Sequence, residues 1–197
     1  MTERRTRKDA ARNEAAVLAA AGPLFDRCES PDDVTMADVA AAAGVGKGTL
    51  FRAFGDRVGL VKALYEARLR PFEEAVESGP PPLGPGAPPA QRVLELLDAL
   101  LCFKLDNRRL ALALEGSGSG SPYAAEHYDR WHTLLRTVLE RIPGLDDGDF
   151  TAHALLAAVR ADLVEHLAGR EGVPRDRLRA MLADHTRRVL AAPAPPA

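Results

Sequence analysis

The chain has 197 residues, 46% of them apolar and only 5% aromatic, with a formal net charge of −2. That length supports one large or two small domains with a substantial core, and the near-neutral charge excludes a globally basic nucleic-acid coat, so any nucleic-acid contact must come from local placement of cations. No apolar run approaches the roughly 18–20 residues of a membrane span and the N-terminus lacks a signal-like apolar segment, so no membrane partner is expected and the expected location is the cytoplasm.

The first residues form a basic arm in which Arg4, Arg5, Arg7, Lys8 and Arg12 outweigh Glu3 and Asp9. Such an arm either tracks DNA phosphates or a minor groove, with Arg5, Arg7 and Lys8 as contacts, or only keeps the chain soluble. A helix is predicted from about Thr6 to Cys28, with Ala11, Ala15, Leu18, Phe25 and Cys28 inward at helical spacing. Cys28 and Cys102, far apart in apolar patterns, read as reduced core residues.

Residues 35–57, TMADVAAAAGVGKGTLFRAFGDR, carry a helix-turn-helix pattern. Thr35 and Asp38 form an acidic capping box, so a helix starts near Met36 and presents Val39, Ala40 and Ala43 to one side. Gly44 stops it by tolerating the left-handed conformation. A second helix begins near Gly46 or Lys47, with Leu50 and Phe54 inward and Lys47, Thr49 and Arg52 outward. Gly55 closes it, and Asp56 caps the next helix. The substring GVGKGT does not fit a phosphate-binding loop, because Ala41 and Gly48 stand where that frame needs a glycine and a hydroxyl. The bland alternative is a helical hairpin with solvated charges.

The order Thr35, Val39, Ala40, Ala43, Gly44, Val45, Lys47, Gly48, Thr49, Leu50, Phe51, Phe54, Arg57 and Leu60 resembles the DNA-binding domain of the TetR family of bacterial transcriptional regulators. The resemblance covers about fifty residues, Ala11 to Leu64. It implies that the second helix of the motif enters the major groove, and that two subunits read a palindromic operator in double-stranded DNA. By position, the implied DNA-facing set is Thr35, Gly46, Lys47, Gly48, Thr49, Phe51, Arg52 and Arg57, with Thr35 and Arg57 toward the phosphate backbone. Four residues depart from the family pattern. Phe51 replaces a usual tyrosine and so loses a phosphate hydrogen bond, Ala53 replaces a frequent histidine, Gly46 a serine and Gly55 a common proline.

After Asp56 a long amphipathic helix carries Val61, Leu64, Tyr65, Leu69, Phe72 and Val76 to about Ser78. The Pro/Gly-rich stretch 79–89 cannot be helix and reads as the domain boundary, a short spacer. The expected organisation is a DNA-binding domain at 1–55, a connecting helix at 56–78, a ligand-binding and dimerisation domain at 90–192, and a disordered tail at 193–197. The fold class is all-α: an N-terminal three-helix reading head followed by a helical regulatory and dimerisation domain.

Helices are predicted at Pro89 to about Asp106, at Arg108 to Glu115, after Ser121 and Pro122 up to Pro143, at Asp149 to about Ala168, and at Arg175 to about Leu190. The GSGSGS run at 116–121 is a flexible loop whose glycine and serine parity does not fit a nucleophile elbow. For the last two helices the resemblance implies a dimer interface. Its residues are Leu155, Leu156, Val159, Leu163, Leu178, Met181, Leu182, His185 and Val189, with ordinary intrachain core as the alternative.

Aromatic residues concentrate around Phe103, Tyr123, Tyr128 and Trp131. The resemblance implies an effector pocket among the middle helices, for which Cys102, Phe103, Leu105, Leu112, Glu115, Tyr128, Trp131, His132 and His166 are the candidates. Glu115, His132 and His166 would be its polar handles, and core filling is the alternative for any one of these side chains. The histidines at 127, 132, 153, 166 and 185 show no repeated ligand spacing, so neither a metal nor another cofactor is expected. No nucleophile, base and orienting group appear in order, so no enzyme is expected. The functional expectation is a homodimeric regulator, a repressor released by a small-molecule effector of unknown identity. Its competitor is a helical sensing protein with weak or lost DNA binding, which the Phe51 and Ala53 departures favour.

Overall fold

A computed structural model describes residues 2–116 and 126–191, with side chains from residue 11 onward except at 126. Ten α-helices are described: α1 Thr2–Arg27, α2 Met36–Ala43, α3 Lys47–Phe54, α4 Arg57–Ser78, α5 Pro89–Asp106, α6 Arg108–Gly116, α7 Glu126–Leu139, α8 Gly148–Ala157, α9 Ala161–Val164 and α10 Arg175–Leu190. No strand occurs among the described residues. The side chains of Arg5, Arg7 and Lys8, the GSGSGS loop beyond Gly116, the Ser121–Pro122 helix start, Tyr123 and the tail from Pro193 lie outside them.

The helices fall into two compact units, Met1–Leu69 with Arg109–Ser117, and Arg70–Arg108 with Gly118–Ala197. The Pro/Gly stretch 79–89 therefore sits inside the second unit. In the first unit α1 packs on α2 and α2 on α3. Its core is Val17, Ala21, Phe25, Val34, Val39, Leu50, Leu60, Val61 and Leu64, all buried. Arg68 of α4 grips Asp26 of α1 with two hydrogen bonds of 2.8 and 3.0 Å. Gly22 makes that grip possible, because a Cβ there would stand 2.7 Å from the Arg68 guanidinium.

In the second unit α7 and α8 form a hairpin, and α5 packs against α7, α9 and α10. The stripe Val93, Leu96, Leu97, Leu100 and Leu101 of α5 is buried at helical spacing. Asn107 ends that helix by donating from Nδ2 to the Phe103 carbonyl at 2.8 Å. Arg92, only 6% exposed, donates to the Leu83 carbonyl at 2.8 Å and the Val76 carbonyl at 2.9 Å, so it ties the proline-rich loop to the end of α4. Burial pushes its pKa down.

Two predicted elements differ. The first helix begins at Thr2 rather than Thr6. The helix expected from Asp149 to Ala168 is broken after Ala157 and restarts at Ala161, then widens into a π-helical stretch at Glu165–Arg170. Asp162 explains the restart: its carboxylate accepts from the Leu163 backbone N–H at 2.9 Å and from Arg160 at 2.8 and 3.1 Å, offering the chain a local alternative to a continuous helix. Those bonds hold the Asp162 carboxyl below the usual carboxylate range.

Candidate nucleic-acid interface

The reading head is built by local chemistry at each boundary. The Thr35 hydroxyl accepts from the Asp38 N–H at 3.2 Å, and the Asp38 carboxylate accepts from the Thr35 N–H at 3.0 Å, which completes the capping box of α2. The Thr35 side-chain and backbone bonds hold the Asp38 carboxyl below the usual range. Gly44 ends α2 at φ 64°, in the left-handed region. Gly55 ends α3 at φ 75°. Asp56 accepts from the Gly59 N–H at 2.8 Å and starts α4.

Gly59 is a residue that the sequence pattern did not single out. A Cβ there would lie 2.1 Å from the Phe54 carbonyl oxygen, so a glycine is needed for the end of α3 to sit against the first turn of α4.

Only Leu50 of α3 is fully buried, with Phe54 half-buried, while Lys47, Gly48, Thr49, Phe51, Arg52 and Ala53 are exposed. The exposed face thus presents two cations, a hydroxyl and, at 48% exposure, the Phe51 ring. No side chain caps the N-terminus of α3, and a Cβ added at Gly46 or Gly48 would meet nothing within 4 Å. The glycines leave the backbone without a side chain on either side of Lys47. Thr35 is exposed as well.

Arg57, for which a phosphate contact is implied, makes contacts within the head. Its Nε donates to the Val34 carbonyl at 3.0 Å, its Nη2 to the Pro31 carbonyl, and Asp32 stands 3.6 Å away. The guanidinium staples the turn before α2 to the start of α4, an interaction that crosses too much sequence to be read from spacing.

The residues expected around an effector fall in both units. Leu112 and Glu115 belong to the first unit, and Cys102, Phe103, Leu105, Tyr128, Trp131, His132 and His166 to the second. A cavity of about 600 Å³ in the second unit is lined by Glu73, Val76, Glu77, Pro85, Arg92, Asp129, Arg130, Trp131, Thr133 and Leu134. Of the expected set, Trp131 alone lines it. Its ring stacks on Phe72 with centroids 5.0 Å apart, and Arg130 bonds Glu73 at 2.8 Å and also Glu77. His166 is exposed and pairs with Glu171 at 3.0 Å. Cys28 and Cys102 are free and half-buried, with burial pushing the Cys28 thiol up.

Among the residues expected at a dimer interface, Leu155, Leu156, Val159, Leu178 and Leu182 are buried within the chain. Leu163 at 38% and Met181 at 50% are exposed, as is His185, and Val189 is half-buried. No helix among the described residues is long and apolar enough to cross a membrane.

Residues 18–64 match the family model of bacterial regulatory proteins, tetR family. An HTH-type transcriptional regulator of Staphylococcus aureus is 27% identical over 173 residues, which span 81% of this chain and 86% of that protein. Among solved structures, a TetR-like transcriptional regulator from Rhodococcus sp. RHA1 superposes with a TM-score of 0.64 at 24% identity, covering 91% of this chain and 96% of that one. NalD from Pseudomonas aeruginosa superposes with a TM-score of 0.61 at 20% identity, covering 91% and 97% of the two chains.

Proposed function

As a member of the TetR family of bacterial transcriptional regulators by its helix-turn-helix head, the chain acts, we propose, as a homodimeric repressor that leaves a palindromic operator when a small molecule binds. The observation that carries the DNA half of this reading is α3 itself. It buries Leu50, turns Lys47, Thr49 and Arg52 to solvent, and places a glycine on each side of Lys47. A helix that short contacts few base pairs, so two copies on a palindrome are needed for a useful specificity ratio. Lys47 and Arg52 are read as base or phosphate contacts, Thr49 as a base contact, Thr35 as a backbone contact, and Arg57 as a positioning residue for the head.

The effector half is supported by the cavity. Val76, Pro85, Trp131 and Leu134 give it apolar walls, and Glu73, Glu77, Asp129, Arg92 and Arg130 give it a few charged groups, which is the usual make-up of a small-molecule site. A ligand that fits one conformation of this unit better than the other lowers operator affinity by the difference in its binding energy. NalD, similar in fold, is the secondary repressor of a multidrug efflux pump, which favours repression as the sign of regulation. The exposed Leu163 and Met181 support a second copy of the chain as partner.

Selection of bound sequences from a random DNA pool, followed by gel shift at moderate salt, tests the reading. Enrichment of a palindrome is expected. Binding without sequence preference would leave the sensing-protein alternative, and the exposed Phe51 in place of a hydrogen-bonding side chain is the observation in its favour.

A further inference from the structure

The α7–α8 hairpin brings together three side chains that sequence spacing kept apart. Asp149 and His153 lie one turn apart on α8, His132 faces them from α7, and one ligand-capable atom of each lies within 4.8 Å of the others. His132 Nε2 stands 3.4 Å from Asp149 Oδ1 and 3.3 Å from the Asp149 carbonyl oxygen. Both distances are long for a hydrogen bond. They equal the edge of about 3.3 Å that separates two ligands of a tetrahedral zinc bonded at about 2.0–2.1 Å. The imidazoles of His132 and His153 stack with centroids 3.8 Å apart. The Tyr128 hydroxyl lies 2.6 Å from His153 Nδ1. A partner on one ring nitrogen is what orients a ligand histidine and assigns coordination to the other.

We propose that His132, Asp149 and His153 bind one divalent transition-metal ion of the zinc class. Two imidazoles and a carboxylate suit Zn²⁺, Co²⁺, Ni²⁺ or Cu²⁺, and disfavour Mg²⁺ and Ca²⁺, which take oxygen ligands. His132 bonds through Nε2 and Asp149 through a carboxylate oxygen, and with the Asp149 side chain 60% exposed, water completes the shell from the solvent side. In-plane lone pairs of two rings converge on one ion only if the planes splay from their present 23°, which needs a turn about the soft χ2 torsions. The ion fastens the first turns of α8 to α7. This site is independent of the 600 Å³ cavity, with which it shares no lining residue.

The test uses the full, tag-free chain stripped of metal and titrated with Co²⁺. One Co²⁺ per chain is expected, with visible d–d bands that Zn²⁺ displaces. His132→Gln, His153→Gln and Asp149→Asn should each weaken binding at least tenfold, while His166→Gln leaves it unchanged. Circular dichroism reports whether the variants keep their helices; if a histidine variant does not, the exposed Asp149→Asn decides. Absence of the bands at a saturating excess of Co²⁺, or bands that survive Asp149→Asn and His153→Gln unchanged, overturns the proposal.

Discussion

Arg57, the first residue of α4, donates to the carbonyl oxygen of Val34, the residue before the cap of α2, at 3.0 Å. With its second bond to Pro31 it locks the entry to the helix-turn-helix motif onto the helix that leaves it. Hydrogen bonds from a charged donor contribute about 1.5–3 kcal/mol each when well buried, and solvent screens this half-exposed group, so Arg57→Ala should cost about 2 kcal/mol in urea denaturation. Arg57→Lys should recover little of it, since an ammonium does not bridge two separated carbonyls as the planar fork does. Full stability in Arg57→Ala would return the residue to the role of a phosphate contact.

Lys47 stands at the exposed start of α3. Lys47→Ala should leave the melting temperature in place and weaken operator binding. If the ammonium neutralises a phosphate, the slope of log affinity against log salt falls by about 1 per subunit. Loss of preference at one operator position with an unchanged slope would assign Lys47 to a base instead.

Gly48 and Gly44 should respond in opposite directions. A Cβ at Gly48 meets nothing within 4 Å, so Gly48→Ala gains about 0.5–1 kcal/mol of helix stability. Its methyl group then stands between the helix backbone and the DNA, and operator affinity should fall by about an order of magnitude. Gly44 has φ 64°, and Gly44→Ala should lose about 1–2 kcal/mol. A stabilised Gly48→Ala with unaltered DNA binding would take that face of α3 off the groove.

The Asp38 cap predicts an acid-sensitive head. Its carboxyl is held below the usual range by bonds from Thr35, so the folded value is depressed relative to the unfolded one. The stabilisation is complete above the unfolded value of about 4 and is lost as pH falls through the folded value. Asp38→Asn should therefore be less stable than the parent chain at pH 7 and converge on it only as the pH falls below the depressed folded value. A difference that stays constant across that interval would show that the charge of Asp38 plays no part in the cap.

Thr186 is fully buried on α10, and its hydroxyl has no hydrogen-bond partner among the described residues. Thr186→Val keeps the shape and removes an unsatisfied polar group, so thermal denaturation should show a gain of about 1 kcal/mol. A loss would reveal a partner for the hydroxyl outside the described residues.

The head was legible because each of its boundaries is written in adjacent residues: Thr35 with Asp38, then Gly44, Gly46, Gly55 and Asp56. The bounds of α5 and α10 were legible for a similar reason, since Pro89, Pro174 and the spacing of leucines mark them. What could not be read depends on contacts between distant segments. Arg57 on Val34, Gly59 against Phe54 and the convergence of His132 on Asp149 and His153 leave no periodic trace. The interruption after Ala157 leaves no mark in the sequence because the alanines and arginine there favour a continuing helix and Val159 keeps its apolar period, and a single carboxylate, Asp162, competes with it. Of the residues expected around an effector only Trp131 lines the cavity; half of the wall comes from α7, and the rest from α4, the proline-rich loop and Arg92 of α5, segments that carry no mark of a shared site in the sequence.

That loop makes Arg92 more than a core oddity. Pro85 forms part of the cavity wall, and the segment carrying it has no helix of its own and is moored by one buried guanidinium at Leu83 and Val76. Arg92 is thus one anchor of that wall, beside the loop's own backbone bonds from Gly84 to Pro80 and from Ala87 to Gly84 and the buried Ala87. Trimming that side chain would remove at once an anchor of the wall and one of the charges that line the cavity, so the shape and the polarity of this compartment depend on the same guanidinium.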